Sequence, residues 1–192
     1  MGLTILCDMD GIVVNLHKKW YDTYNERYGD DLTQDKVVEW DTHKFAKHGT
    51  LVYEVLKEPG FFREVDPIPG ALEALAKFKE VGHRVVLVTA ATRYGATDKL
   101  LWLEKYAPWF DQKQVLIGYP KELVKGDVLI DDGPHNLLGN AKAWPDTKRI
   151  SIAYPYNRHV AGLCSLYAED FHKPEKCWRA ISEYILKAGI YW

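Results

Sequence analysis

The chain has 192 residues, of which 47% are apolar, enough for one well-buried core and a small appended domain but a squeeze for two full domains. Its 25 Lys and Arg against 27 Asp and Glu leave a formal charge of −2 with no basic block or stripe, which argues against a long nucleic acid as partner. Cys7, Cys164 and Cys177 are odd in number and far apart, so neither a disulfide framework nor a zinc knuckle is indicated, and a reducing cytoplasm is expected.

The first element is the apolar run "LTILCD", which reads as a strand. It turns acidic too soon for a signal-peptide core, and nowhere is there an apolar run long enough to cross a membrane, so a soluble protein is expected. Residues 16–67 then offer helix-like pieces, "HKKWYDTYNERYG" and "FAKHGTLVYEVLK", but no strand run. They are expected to form a helical cap, inserted into a core made of residues 1–15 and 68–192.

"GALEALAKFKEVG" follows as a helix, opened by Pro69 and Gly70 and closed by Gly82. A second run, "RVVLVTAA", leads to a helix from Thr97 to Tyr106, and the runs "QVLIG", "DVLIDD" and "RISIAY" precede a terminal helix, "PEKCWRAISEYILKAG". Five Val-, Ile- and Leu-rich runs alternating with helices predict an α/β fold, a doubly wound parallel sheet whose strands are buried on both faces. In such a sheet the first, second and fourth runs lie side by side, and ligands bind beyond their carboxyl ends.

Those ends carry the chemistry. Asp8 and Asp10 leave the first strand one residue apart with their side chains on the same side, and Gly11 lets the backbone turn sharply. A carboxylate can attack phosphorus, provided that a cation offsets the charge of the phosphate; Mg2+ does so with few protein ligands. A second carboxylate two residues on can protonate the leaving oxygen and later deprotonate the attacking water. Acidic pairs after strands also serve as plain turn and capping residues.

Three further groups point the other way. Thr89 can bind phosphoryl oxygens through its hydroxyl and the N–H groups that follow, Asp131 and Asp132 can complete a metal site, and Lys121 or Lys125 can neutralise phosphate charge. The histidines form no closely spaced pair of ligands, and His135, just after the acidic pair, reads as the cap of a helix or as a residue near the crevice. Asn157, Arg158 and His159 read as a surface loop or as a brace for the site.

In this order the residues resemble the haloacid dehalogenase-like superfamily: Asp-x-Asp after the first strand, Thr after the second, a Lys, and an acidic pair after the fourth. The presence of Asp10 favours phosphate chemistry over dehalogenation. "DMDGIV", "FFREVDPIPGALEAL", "DKLLWLEKYAPWF", "VKGDVLIDD" and "NRH" more specifically resemble the 5′(3′)-deoxyribonucleotidases.

That resemblance implies Asp8 as nucleophile and Asp10 as acid and base with its carbonyl on Mg2+. It implies Lys121, ten residues before the acidic pair, as the phosphate lysine, and one of Asp131 and Asp132, Asp132 ahead of Asp131, as a direct metal ligand beside Asp8 and Asp10. It also implies a nucleoside monophosphate as substrate and a homodimer. Where the family has Ser and Pro after its threonine, this chain has Ala90 and Ala91, so Ala90 offers only its N–H to phosphate. Arg93, and less so Lys99, stand where the family places substrate-contacting basic residues; Leu16 replaces an aromatic near the base.

The cap is rich in aromatics: Trp20, Tyr21, Tyr24, Trp40, Tyr53, Phe61 and Phe62. Most are expected to pack the cap, and Trp40, in a loop-like stretch, is the candidate for stacking on a nucleobase. Two other functions fit the motifs: a phosphatase for another small metabolite such as a sugar phosphate, and a non-catalytic binding module.

Overall fold

The structure is a computed structural model and describes residues 2–188. Among these residues six strands form one parallel sheet: β1 (Thr4–Cys7), β2 (Arg84–Thr89), β3 (Val115–Ile117), β4 (Val128–Ile130), β5 (Lys148–Ile152) and β6 (Leu166–Ala168), in the order β3-β2-β1-β4-β5-β6. The chain winds outward from β1 through β2 to β3, then crosses back to β4 on the other side of β1. The reversal therefore falls between β1 and β4, and it opens a crevice at their carboxyl ends.

Successive residues of a strand face opposite sides of the sheet, and both sides here are apolar. Ile5 and Cys7 of β1 join Val85, Leu87, Val128 and Ile130 in the larger core layer, while Leu6 joins Val88 and Leu129 in a second one. The first layer is covered by α2 (Ala71–Glu80) and α5 (Pro174–Ala188), through the buried Leu75, Phe78, Trp178 and Ile181. The second is covered by Leu137 of α4 (Pro134–Ala143) and by Val160. Each such side chain contributes about 1.5–3 kcal/mol on burial. Trp178 also donates its indole N–H to Ile12 O at 3.0 Å, which ties α5 to the loop that follows β1.

Helix α2 matches its sequence signals, with Gly70 at φ 86° before it and Gly82 at φ 92° after it. The helix expected from Thr97 starts earlier: α3 spans Arg93–Tyr106, because the Thr92 side chain accepts the Gly95 N–H and caps the first turn. The terminal helix begins at Pro174 as expected; its Gly189 lies outside the described residues.

Three expectations need correction. The segment Leu166–Ala168 adds a sixth strand, too short and too mixed to stand out as an apolar run. The run "QVLIG" is not buried on both faces: β3 is an edge strand, and Leu116 and Ile117 are exposed there. Of the two helices expected in 16–67, only the first forms as such, α1 (Leu16–Tyr28), closed by Gly29 in the left-handed conformation. The stretch "FAKHGTLVYEVLK" breaks into short 3-10 turns at Gly49–Tyr53 and Val55–Lys57. Gly49 sits at φ 56°, which interrupts any continuous helix.

Candidate active site

The parallel ladder continues one bond beyond β1, where the Asp8 N–H donates to Ile130 O at 2.9 Å, so the tips of β1 and β4 are held in register. Asp8 is buried: its Oδ1 accepts the Met9 N–H at 2.7 Å, and its Oδ2 lies 2.7 Å from Lys121 Nζ. Gly11 then turns the chain at φ 71°. A Cβ at that position would lie 2.4 Å from Asp132 Oδ2, so glycine is needed both for the turn and for the close approach of the two strand tips.

At the tip of β4 the two acids differ in their partners. Asp131 is saturated: Lys121 Nζ (2.9 Å) and Asn136 Nδ2 (3.2 Å) donate to its Oδ2, and the Gly133 N–H (2.8 Å) and Asn136 Nδ2 (3.0 Å) to its Oδ1. Asp132 receives the Tyr156 phenol on Oδ2, and Asn157 Nδ2 donates to its backbone oxygen at 3.0 Å. Oxygens of Asp8, Asp131 and Asp132 all lie within 4.8 Å of one another.

Three buried carboxylates stand here beside the one ammonium of Lys121. Burial, followed by Asp8 and Asp131, pushes the Asp132 pKa well above the ordinary carboxylate value. Burial alone would lower the Lys121 pKa, but Asp131 and Asp8 outweigh it and hold that ammonium protonated. The residual negative charge and the hard oxygen donors fit a divalent cation of the Mg2+ or Ca2+ type. Such an ion would supply electrostatic neutralisation of an incoming anion; Asp8 and Asp132 have the less saturated oxygens to hold it.

Asp10 and Thr89 meet at a second node. Lys99 Nζ lies 2.6 Å from Asp10 Oδ2, 2.7 Å from Thr89 Oγ1 and 2.7 Å from Ala90 O, while Asp10 Oδ1 is buried without a partner. Burial is the largest influence on Asp10 and raises its pKa, against the opposing charge of Lys99.

Between these nodes and the segment 16–67 lies a cleft of about 290 Å³, lined by Asp8, Asp10, Lys121 and Asp132 together with Ala90 and Trp40. Leu16 and several aromatic groups complete its wall, among them His17, Tyr53, Tyr119 and His135. Trp40 is 47% exposed, and its ring meets His135 edge-on at 4.8 Å. Phe61 and Phe62 are instead buried core residues, as the packing reading expected.

Other candidates lie elsewhere. Arg93, exposed at the start of α3, stacks over Tyr94 at 5.6 Å and is not among the lining residues. Lys125 lies over the Trp144 ring, away from the strand tips. Asn157 is the brace of the "NRH" stretch, whereas Arg158 and His159 are exposed.

Lys99, Asn136 and Tyr156 also stand at this site: the sequence reading does not single out Asn136 or Tyr156, and names Lys99 only as a lesser candidate for substrate contact. For Lys99 there was a signal: the buried face of α3 reads Gly95, Asp98, Lys99, Trp102, Leu103, a helical stripe on which two charged residues stand with the core groups.

Residues 2–186 match the family model described as 5′ nucleotidase, deoxy (Pyrimidine), cytosolic type C protein. The chain belongs to this family. With it, the chain is a phosphoric monoester hydrolase. It is 33% identical over 137 residues to a 5′(3′)-deoxyribonucleotidase of Clostridium acetobutylicum, covering 70% of this chain and 75% of that one. A 5′(3′)-deoxyribonucleotidase of Bacillus subtilis is 31% identical over 162 residues, 83% of this chain and 90% of the other. The fold is shared with a haloacid dehalogenase-like family hydrolase of Streptococcus pneumoniae, with a TM-score of 0.58 at 12% identity over 95% of this chain and 98% of that one. Among the described residues no helix is long and apolar enough to cross a membrane.

Proposed function

We propose that the chain hydrolyses (deoxy)ribonucleoside 5′(3′)-monophosphates with Mg2+, through an aspartyl-phosphate on Asp8. The observation that carries this reading is the convergence of Asp8, Asp132 and Lys121 at one end of a cleft whose far wall is aromatic.

In the first step an Asp8 oxygen attacks phosphorus while the nucleoside oxygen leaves with a proton from Asp10. In the second, water attacks the same phosphorus and gives a proton back to Asp10, which frees phosphate and restores the Asp8 carboxylate. Burial raises the Asp10 pKa, the direction that suits a proton donor, and its side chain borders the cleft. Lys121, the Thr89 hydroxyl and the Ala90 N–H bind the phosphoryl oxygens. Asp8 and Asp132, with the Asp10 carbonyl, would hold Mg2+, which when bound would offset the repulsion between the phosphate and the carboxylates, and Asp131 serves to orient Lys121.

Residues 16–67 serve as the cap that excludes water, on a core of residues 1–15 and 68–192, and the exposed Trp40 stacks on the base, a contact that contributes about 1–3 kcal/mol. The free thiols of Cys7, Cys164 and Cys177 support a cytoplasmic site of action.

The test is phosphate release from a panel of deoxynucleoside and ribonucleoside monophosphates and sugar phosphates, with Mg2+ and with chelator. Magnesium-dependent preference for nucleotides, abolished in Asp8→Asn with the fold intact, is the expected result. Preference for sugar phosphates would remove the nucleotidase reading, and full turnover by Asp8→Asn would remove the mechanism.

A further inference from the structure

Lys99 is an unusual side chain: a lysine in a helix interior with only 2% of its side chain exposed. A buried ammonium is costly unless every proton finds a partner and its charge is balanced. Here the balance is complete, since an ammonium has three donors and three acceptors surround this one at 2.6–2.7 Å: Asp10 Oδ2, Thr89 Oγ1 and Ala90 O. The Phe62 ring, 5.2 Å from Nζ, packs against the same group. Lys99 thus has no hydrogen-bond capacity left for a substrate, in contrast to Lys121, which borders the cleft.

We infer that Lys99 is a positioning residue, which pins the Asp10 carboxylate to the Thr89–Ala90 turn and so fixes it at the edge of the cleft where the leaving oxygen departs. The inference rests on the acid–base reading of Asp10. Two geometric consequences support it. Because Lys99 holds Oδ2, the Asp10 carboxylate, which borders the cleft, is fixed in rotation, as an acid aimed at one leaving oxygen must be. Because lysine only donates, Thr89 Oγ1 must accept from it, so the hydroxyl proton of Thr89 is directed elsewhere. It points to Ala90 O, 3.3 Å away, or to a phosphoryl oxygen when one is present. One ammonium thereby sets both the angle of the acid and the donor direction of a phosphate ligand, across the tips of two strands.

The test is single-turnover release of the leaving group, with enzyme in excess, from a deoxynucleoside monophosphate and from p-nitrophenyl phosphate, whose phenolate departs without a proton. Lys99→Met is expected to slow nucleoside release about 100-fold, within the range that general acid catalysis supplies. Half-saturating concentration should change by less than about threefold, because Lys99 touches no substrate. Release of p-nitrophenol should slow by less than about tenfold, since its expulsion does not draw on the acid. Equal slowing of both leaving groups, or a loss confined to half-saturation, would overturn the inference.

Should Lys99→Met not fold, the wild-type protein provides the second measurement. The Lys99 ammonium should give a slowly exchanging nitrogen-15 NMR signal that stays in place when Mg2+ and inorganic phosphate are added, whereas that of Lys121 moves. A Lys99 shift as large as that of Lys121 would make it a phosphate ligand and end the proposal. Asp10→Asn, run alongside, separates the two ideas: full nucleoside release in that variant refutes the acid–base reading itself, whereas loss there with none in Lys99→Met refutes only the positioning role.

Discussion

Lys121 Nζ stands 2.7 Å from Asp8 Oδ2, and the same ammonium reaches Asp131 Oδ2 at 2.9 Å, with all three side chains buried. Removing it would leave three neighbouring carboxylates without their cation, which is far costlier than the pair itself is stabilising. Lys121→Met should therefore lower stability by about 3–5 kcal/mol at neutral pH, a drop of roughly 6–20 °C in Tm. Acidification should restore part of the loss, because protonated carboxyls no longer repel one another. Thermal melts of both proteins across pH test this, and a loss that is independent of pH would show that packing, not charge, is what Lys121 supplies.

Divalent cations should stabilise the fold, increasingly so as pH rises. The native Asp132 pKa is raised above the ordinary value near 3.8, with burial the main cause. A raised native pKa means that the proton favours the folded state: this contribution is full below the ordinary value and is lost as pH climbs through the native one. A cation competes with that proton, so the Mg2+-induced rise in Tm should grow as pH climbs above the ordinary carboxylate value, and the stabilisation reaches about 2.7 kcal/mol where the ion is at 100 times its Kd. A shift that shrinks with pH would place the cation elsewhere than on these acids.

Tyr156→Phe should weaken Mg2+ binding by roughly 10–100-fold while leaving kcat at saturating metal nearly unchanged. The phenol gives its proton to Asp132 Oδ2, and its ring stacks on Tyr154 at 5.3 Å, so the substitution removes the hydrogen bond and keeps the packing. Titration of activity with Mg2+ measures the effect; an unchanged Mg2+ dependence would mean that Asp132 is held by its backbone contacts to Asn157 alone.

The parts of this site legible in the sequence are those at strand tips. Asp8, Asp10, Thr89, Asp131 and Asp132 each follow an apolar run that could scarcely be other than a buried strand, and the parallel order then dictates that they converge. Lys99 was not legible in this way, because lysines on helices are normally solvated and its three partners come from two other strand ends. Tyr156 and Asn157 sit in the turns after β5, where no periodicity marks which side chains point inward. The segment 16–67 was legible as helical at α1 but not beyond it: Gly49 and the β-branched Val52 and Val55 weaken a regular helix, and the chain settles into 3-10 turns that tertiary packing selects.

His17 offers a pH effect of opposite sign to that of Asp132. Its ring is buried against Tyr154 and Tyr156, each 5.5 Å away, its Nδ1 has no partner, and burial pushes its pKa down to about 4 from 6.5. The folded state therefore favours the neutral ring: its contribution is intact above the ordinary value of 6.5 and is lost as pH falls from there towards 4, about 3 kcal/mol in all. His17→Phe keeps an aromatic ring in the cluster and has no proton to take up. Denaturant titrations at a series of pH values should show the wild type losing stability faster than the variant across that window, with the two curves parallel above it. Parallel curves throughout would mean that the imidazolium finds a partner or solvent on protonation, and that His17 does not resist acid as its burial requires.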